Sequence, residues 1–183
     1  MRLLGLSGSL RRASSSTAFL EALFARLPEG VERARADIRA LPHYDADVDG
    51  GAPVAGLIEA IRTADGVVIV TPEYNYSIPG VLKNAIDWAS RPAYRSAFAG
   101  KPVLVASVSG GALGGVRAQA HLKYVLDGML AEVFPHQEIV VPHANAKVTD
   151  GVFTDEATLA FALGALERFR RWSETRGGPA PRD

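Results

Sequence analysis

Short apolar runs alternate with longer amphipathic stretches along the chain. Residues 3–6 form a compact apolar run that ends in Ser-Gly-Ser. Residues 14–27 place Ala18, Phe19, Ala22, Leu23 and Leu27 on one helical face, with Pro28 following. Residues 31–38 alternate weakly between apolar and charged side chains, as an edge strand with a wet face does. A loop over 41–53 leads to a helix over 54–64, opening after Pro53. Val67, Val68, Ile69 and Val70 read as a buried strand, and Gly80–Ala89 as a helix. The pattern then predicts a strand over Pro102–Val108, a helix over 116–130 and the last strand within 131–141. A final helix covers 154–174, with Thr154 able to cap it and Asp155 and Glu156 placed where the helix dipole favours carboxylates.

The order is therefore β-α repeated five times. Val- and Ile-rich strands between helices predict a parallel sheet covered on both faces. Five such strands fit an α/β doubly wound sheet in the order 2-1-3-4-5. The expected organisation is one domain over 1–174 and a flexible tail over 175–183. In such a sheet ligands sit beyond the carboxyl ends of the strands. Three loops fall there, at 7–13, 71–79 and 107–115.

The first loop carries Ser9, Arg11, Ser14, Ser16 and Thr17 at the start of a helix. Free N–H groups, hydroxyl donors and a guanidinium there suit a phosphate monoester. A capped helix with solvated arginines has the same composition. The middle loop, Thr71-Pro72-Glu73-Tyr74-Asn75-Tyr76-Ser77-Ile78-Pro79, sets two tyrosines and an amide between stiffening prolines. Those groups suit a planar heterocycle with a polar edge, or packing at an interface. The third loop holds Ser109, Gly110, Gly111, Gly114 and Gly115, which permits close backbone approach to a ligand or a pliable connection.

Composition narrows the choice. The chain has 183 residues, 20 Lys plus Arg against 20 Asp plus Glu, and no cysteine. Zero net charge argues against nucleic acid and against a charged membrane surface. Without cysteine there is no disulfide, thiolate metal site or cysteine nucleophile, so redox chemistry requires a bound cofactor. No apolar run reaches the length of a secretory core or a membrane span, so the expected location is the cytoplasm. Neither G-x-G-x-x-G nor a P-loop occurs. The Asp45-Ala46-Asp47-Val48-Asp49-Gly50 stretch begins like a calcium loop, but Gly56 stands where the bidentate Glu belongs. The histidines lack metal-ligand spacing, so no metal is expected. A hydrolase triad around Ser109 would need a longer scaffold.

The three loops carry a resemblance. G-S-L-R-x-x-S at 8–14, P-E-Y-N-Y-S-I-P-G-V-L-K-N-A-I-D-W at 72–88 and S-x-S-G-G-x-x-G-G at 107–115 resemble the NADPH-dependent FMN reductase family over residues 2–172. The resemblance implies a flavodoxin-like fold, an FMN cofactor, and NADPH or NADH as co-substrate. The implied acceptor is a quinone or similar small molecule such as chromate or an azo compound. Hydride would pass through flavin N5 by a ping-pong mechanism, with no catalytic side chain. Ser9, Arg11, Ser14, Ser16 and Thr17 would hold the phosphate. Pro72, Glu73, Tyr74, Asn75 and Tyr76 would line the ring, with Ser109, Gly110, Gly111 and Gly114 on its other side. Ser16 stands where the family usually has Asn. The resemblance also implies a homodimer or homotetramer, with the helix at 81–88 near the interface. A flavodoxin-like electron carrier without its own NAD(P)H activity and a non-flavin nucleotide-binding domain are the other readings of these residues.

Overall fold

A computed structural model describes residues 1–176. The strands at the centre are β1 (Arg2–Ser7), β3 (Gly66–Thr71) and β4 (Pro102–Val108), all parallel and nearly all buried. Strand β2 (Glu32–Arg35) closes one edge beside β1, with mostly exposed side chains, as its weak alternation implies. The sheet order is 2-1-3-4-5. The fifth position is filled by two short strands, β5 (Glu132–Val133) and β6 (Ile139–Val141), both paired with β4. The single last strand expected over 131–141 is thus broken. Pro135 lies in the gap, where it has no N–H to give to a ladder.

Helices α1 (Ser15–Ala25) and α5 (Glu156–Glu174) cover one face of the sheet. Phe19, Leu20, Leu23, Leu166 and Phe169 pack there against Leu3, Val68, Val70, Leu104 and Ala106. Helices α2 (Gly51–Thr63), α3 (Gly80–Ala89) and α4 (Val116–Asp127) cover the other face. Leu57, Ile61, Leu82, Ile86 and Leu122 meet Leu4, Leu6, Val67, Ile69 and Val105. Successive residues of one strand thus feed opposite cores, as the two-residue period of a strand requires.

Several boundaries differ from the expected ones. Helix α2 begins at Gly51, with Pro53 inside its first turn, where a missing N–H costs nothing. Helix α5 is capped by Asp155, whose carboxylate accepts from Thr158 N at 2.8 Å, rather than by Thr154. An antiparallel pair, β7 (Val148–Thr149) and β8 (Val152–Phe153), precedes it. Its turn is Asp150-Gly151, both with positive φ, as a two-residue hairpin demands. Of the tail expected over 175–183, residues 177–183 lie outside the described residues. Arg176 pairs with Glu132 and lies over the Trp172 ring.

Candidate functional site

Because β1, β3 and β4 run parallel and in register, their carboxyl ends deliver the three loops to one edge of the sheet. The first loop leads into α1. Ser14 is the N-cap, and its Oγ accepts from Thr17 N at 3.2 Å. Thr17 Oγ1 meets Ser7 Oγ at 2.8 Å. The amides of Ser15 and Ser16 occupy the first two helical positions, where no intrahelical acceptor exists. No acidic side chain lies in that first turn. Ser16 is buried, while Arg11 and Arg12 stand exposed at the rim. Hydroxyls, free amides and an unopposed helix dipole make this the anion-seeking part of the edge.

The middle loop turns sharply at Asn75 and Tyr76, both with positive φ. Tyr74 and Ser77 exchange two backbone hydrogen bonds, at 3.0 and 3.1 Å, across that turn. Pro72 is buried, whereas Tyr74 and Tyr76 are 42% and 68% exposed, leaving aromatic surface at the rim. The loop touches both neighbours. Ser9 Oγ lies 3.4 Å from the Tyr74 hydroxyl, and Ser9 Oγ also accepts from Arg11 N at 3.3 Å. On the other side Glu73 turns away from the rim. Its Oε2 accepts from Arg117 N at 3.2 Å and Ala118 N at 3.4 Å, in the first turn of α4. Its Oε1 accepts from Arg117 Nε at 2.8 Å, and Arg117 Nη2 completes the ion pair. Burial pushes the Glu73 carboxyl up, but these hydrogen bonds and the guanidinium charge outweigh it and hold the group below its ordinary value. The same hydrogen bond raises Arg117. The Arg117 guanidinium covers one face of the Tyr76 ring, 4.0 Å from its centroid.

The third loop is held by the end of β6. Ser109 N donates to Val141 O at 3.0 Å, and Ser109 Oγ accepts from Gly111 N at 3.2 Å. Its glycines divide by what a side chain would meet. At Gly110 a Cβ would lie 2.9 Å from the Asn145 side chain. At Gly114, with φ +59, it would lie 2.5 Å from Val140 Cγ1 and 2.9 Å from Pro142 N. Gly114 is glycine because Val140 and the Pro142 backbone fill the space behind it at positive φ, whereas at Gly110 only the tip of the Asn145 side chain stands close. At Gly111 the nearest atom, Ser109 Oγ, is 3.7 Å away, an ordinary van der Waals distance, so a methyl group fits there without clash.

The sequence did not place Asn145 or His121 at this edge, His121 Nδ1 lying 3.0 Å from Ser77 Oγ, nor did it foretell the pairing of Arg117 with Glu73. All three reach the edge from other elements, and only the sheet register reveals that. Among the described residues no cluster of His, Asp or Glu is arranged to hold a metal ion, and no helix is long and apolar enough to cross a membrane.

A flavodoxin-like doubly wound sheet with hydroxyl-, tyrosine- and glycine-rich loops at its carboxyl edge defines the class of protein. The family model for NADPH-dependent FMN reductase matches residues 1–146. An NAD(P)H-dependent FMN reductase of Pseudomonas aeruginosa is 39% identical over 176 residues, covering 94% of this chain and 95% of that protein. A quinone reductase of Escherichia coli strain K12 is 43% identical over 176 residues, covering 92% and 93%. Among solved structures, FerB of Paracoccus denitrificans, a flavoenzyme NAD(P)H:(acceptor) oxidoreductase, aligns with a TM-score of 0.83 at 37% identity, covering 97% of this chain and 99% of that one. The chain belongs to the NADPH-dependent FMN reductase family. It is an oxidoreductase, and FMN is its cofactor.

The residues present fit that group. A terminal phosphate finds free amides and hydroxyls at the start of α1. The exposed rings of Tyr74 and Tyr76 offer flat aromatic surface at the same edge of the sheet, and the glycine loop leaves room beside Gly111.

Proposed function

We propose that the chain is an FMN-dependent NAD(P)H oxidoreductase that reduces a quinone or similar small acceptor, with chromate and azo compounds in the same class. The observation that carries this reading is the convergence of the three loops, joined through Ser9–Tyr74 and Glu73–Arg117, at one sheet edge. Ser9, Arg11, Ser14, Ser16 and Thr17 hold the phosphate. Pro72, Tyr74, Asn75 and Tyr76 lie along the ring, with Glu73 behind them. Ser109, Gly110, Gly111 and Gly114 form the opposite wall, with Gly111 in closest approach. Bound FMN supplies two-electron transfer at N5 from NAD(P)H to the acceptor. The chain supplies position and electrostatics. The amides of the Asn75–Tyr76 turn offer donors for negative charge on the ring edge. No side chain serves as acid or base in this scheme.

The two substrates use one open face in turn, which is a ping-pong order. The enzyme works in the cytoplasm as a homodimer or homotetramer. The face for a second copy is the outer side of α3 and α4. Tyr124 is 81% exposed there, beside a hollow of about 430 Å³ lined by Ile86, Val125 and Met129.

Steady-state kinetics with NADPH and NADH against quinones, azo dyes and chromate test the scheme. Parallel double-reciprocal lines are expected, and intersecting lines would contradict the order. Absence of any turnover without a partner reductase would favour an electron carrier instead.

A further inference from the structure

We propose that Glu73 is a positioning residue that locks two walls of the flavin site into one unit; the proposal rests on the functional reading above. Helix α4 has no cap of its own. The residue before it is Gly115, with φ +85 and a Cβ position only 3.1 Å from Ser107 Cβ, so no side chain is available at that point. The cap comes instead from the middle loop, 44 residues away in sequence, as the two hydrogen bonds from Arg117 N and Ala118 N to Glu73 Oε2.

A local cap stabilises one helix end. This one also fixes a distance between two segments. The Glu73 side chain is only 8% exposed, although Tyr74, Asn75 and Tyr76 beside it are exposed. Its other oxygen is clamped by Arg117, and Arg117 in turn covers Tyr76. The same turn of α4 is tied to the sheet by Gln119. Fully buried, Gln119 donates through Nε2 to Ser107 Oγ and to Ile139 O, each at 3.0 Å. One helical turn therefore gathers the ends of β3, β4 and β6, and Glu73 is the link from β3. That carboxylate therefore fixes the position of the Tyr74–Tyr76 turn relative to the start of α4, the helix that follows the glycine loop.

Amide hydrogen exchange on apo protein tests the link itself. Glu73→Ala should speed exchange by about tenfold, in residues 73–77 and in 112–118 together, with α5 unchanged. Glu73→Gln keeps an acceptor for the helix amides and should recover part of the protection. It also carries the test if the alanine variant fails to fold. Exchange at wild-type rates in both segments, or faster in one alone, would overturn the proposal. FMN titration then tests its use. The dissociation constant should rise about tenfold in Glu73→Ala and less in Glu73→Gln. Both loops loosened with FMN affinity unchanged would also overturn it. A wild-type protein that binds no FMN would refute the functional reading, while the apo exchange result would still decide the link.

Discussion

Ser9 and Tyr74 meet across the candidate site, their hydroxyl oxygens 3.4 Å apart, one in the loop after β1 and the other in the loop after β3. The contact is long for a hydroxyl pair and sits at the exposed rim, so its expected energetic share is small. Tyr74→Phe should weaken FMN binding by less than about 1.5 kcal/mol and leave the urea midpoint unchanged. A larger loss, read by FMN fluorescence titration, would mean that the phenol binds the cofactor directly.

Arg11 stands exposed in the loop that leads into α1. Arg11→Ala should cost FMN binding about 1.5–3 kcal/mol, the range for a hydrogen bond to a charged group. Unfolding should shift by no more than about 0.5 kcal/mol, since the side chain is at the surface. An unchanged FMN dissociation constant would mark Arg11 as a solvated surface residue.

The glycine loop offers a paired test. Gly114→Ala would force a Cβ into Val140 and the Pro142 backbone at positive φ, so it should destabilise the fold by more than about 1 kcal/mol. Gly111→Ala meets no atom closer than 3.7 Å and should unfold like the wild type. Its expected effect is on FMN affinity alone. Equal stability loss in both variants would contradict the division between packing and ligand-facing glycines.

Asp155 carries a pH dependence. Hydrogen bonds from Lys147 Nζ and from the Thr158 amide lower its carboxyl from 3.8 to about 2. A depressed acid stabilises the fold while it is ionised. Its contribution is therefore present above pH 3.8 and disappears as pH falls through about 2. Asp155→Ala should lose about 1 kcal/mol near neutral pH, mainly the cap. The gap between wild type and variant, followed by urea unfolding, should close across that acid window. A gap that stays constant would show that the carboxylate charge plays no part.

Much of the fold was legible because burial and periodicity coincide. Val67 to Val70 are fully buried on both faces of the sheet, and such a run has few other homes. Helix α3 starts and ends as expected because Pro79 marks its entry. The break between β5 and β6 follows from Pro135, a signal that the apolar pattern of 131–141 obscures. The β7–β8 hairpin announces itself in Asp150-Gly151, yet its strands of two residues are too short to alternate visibly. At the site, the composition of the loops was readable but the internal bonding was not. Glu73 and Arg117 come together only through the register of β3 with β4. Likewise Gly114 owes its identity to Val140 and Pro142, which come from the far side of the α4 crossover.

The central claim is that this chain moves electrons from a nicotinamide nucleotide through its own FMN. Anaerobic addition of NADPH or NADH to the FMN-loaded protein, followed by a quinone, tests that most directly. The yellow flavin absorbance should bleach on addition of the nucleotide and return on addition of the quinone, with no second protein present. A flavin spectrum that stays unchanged with both nucleotides would contradict the account.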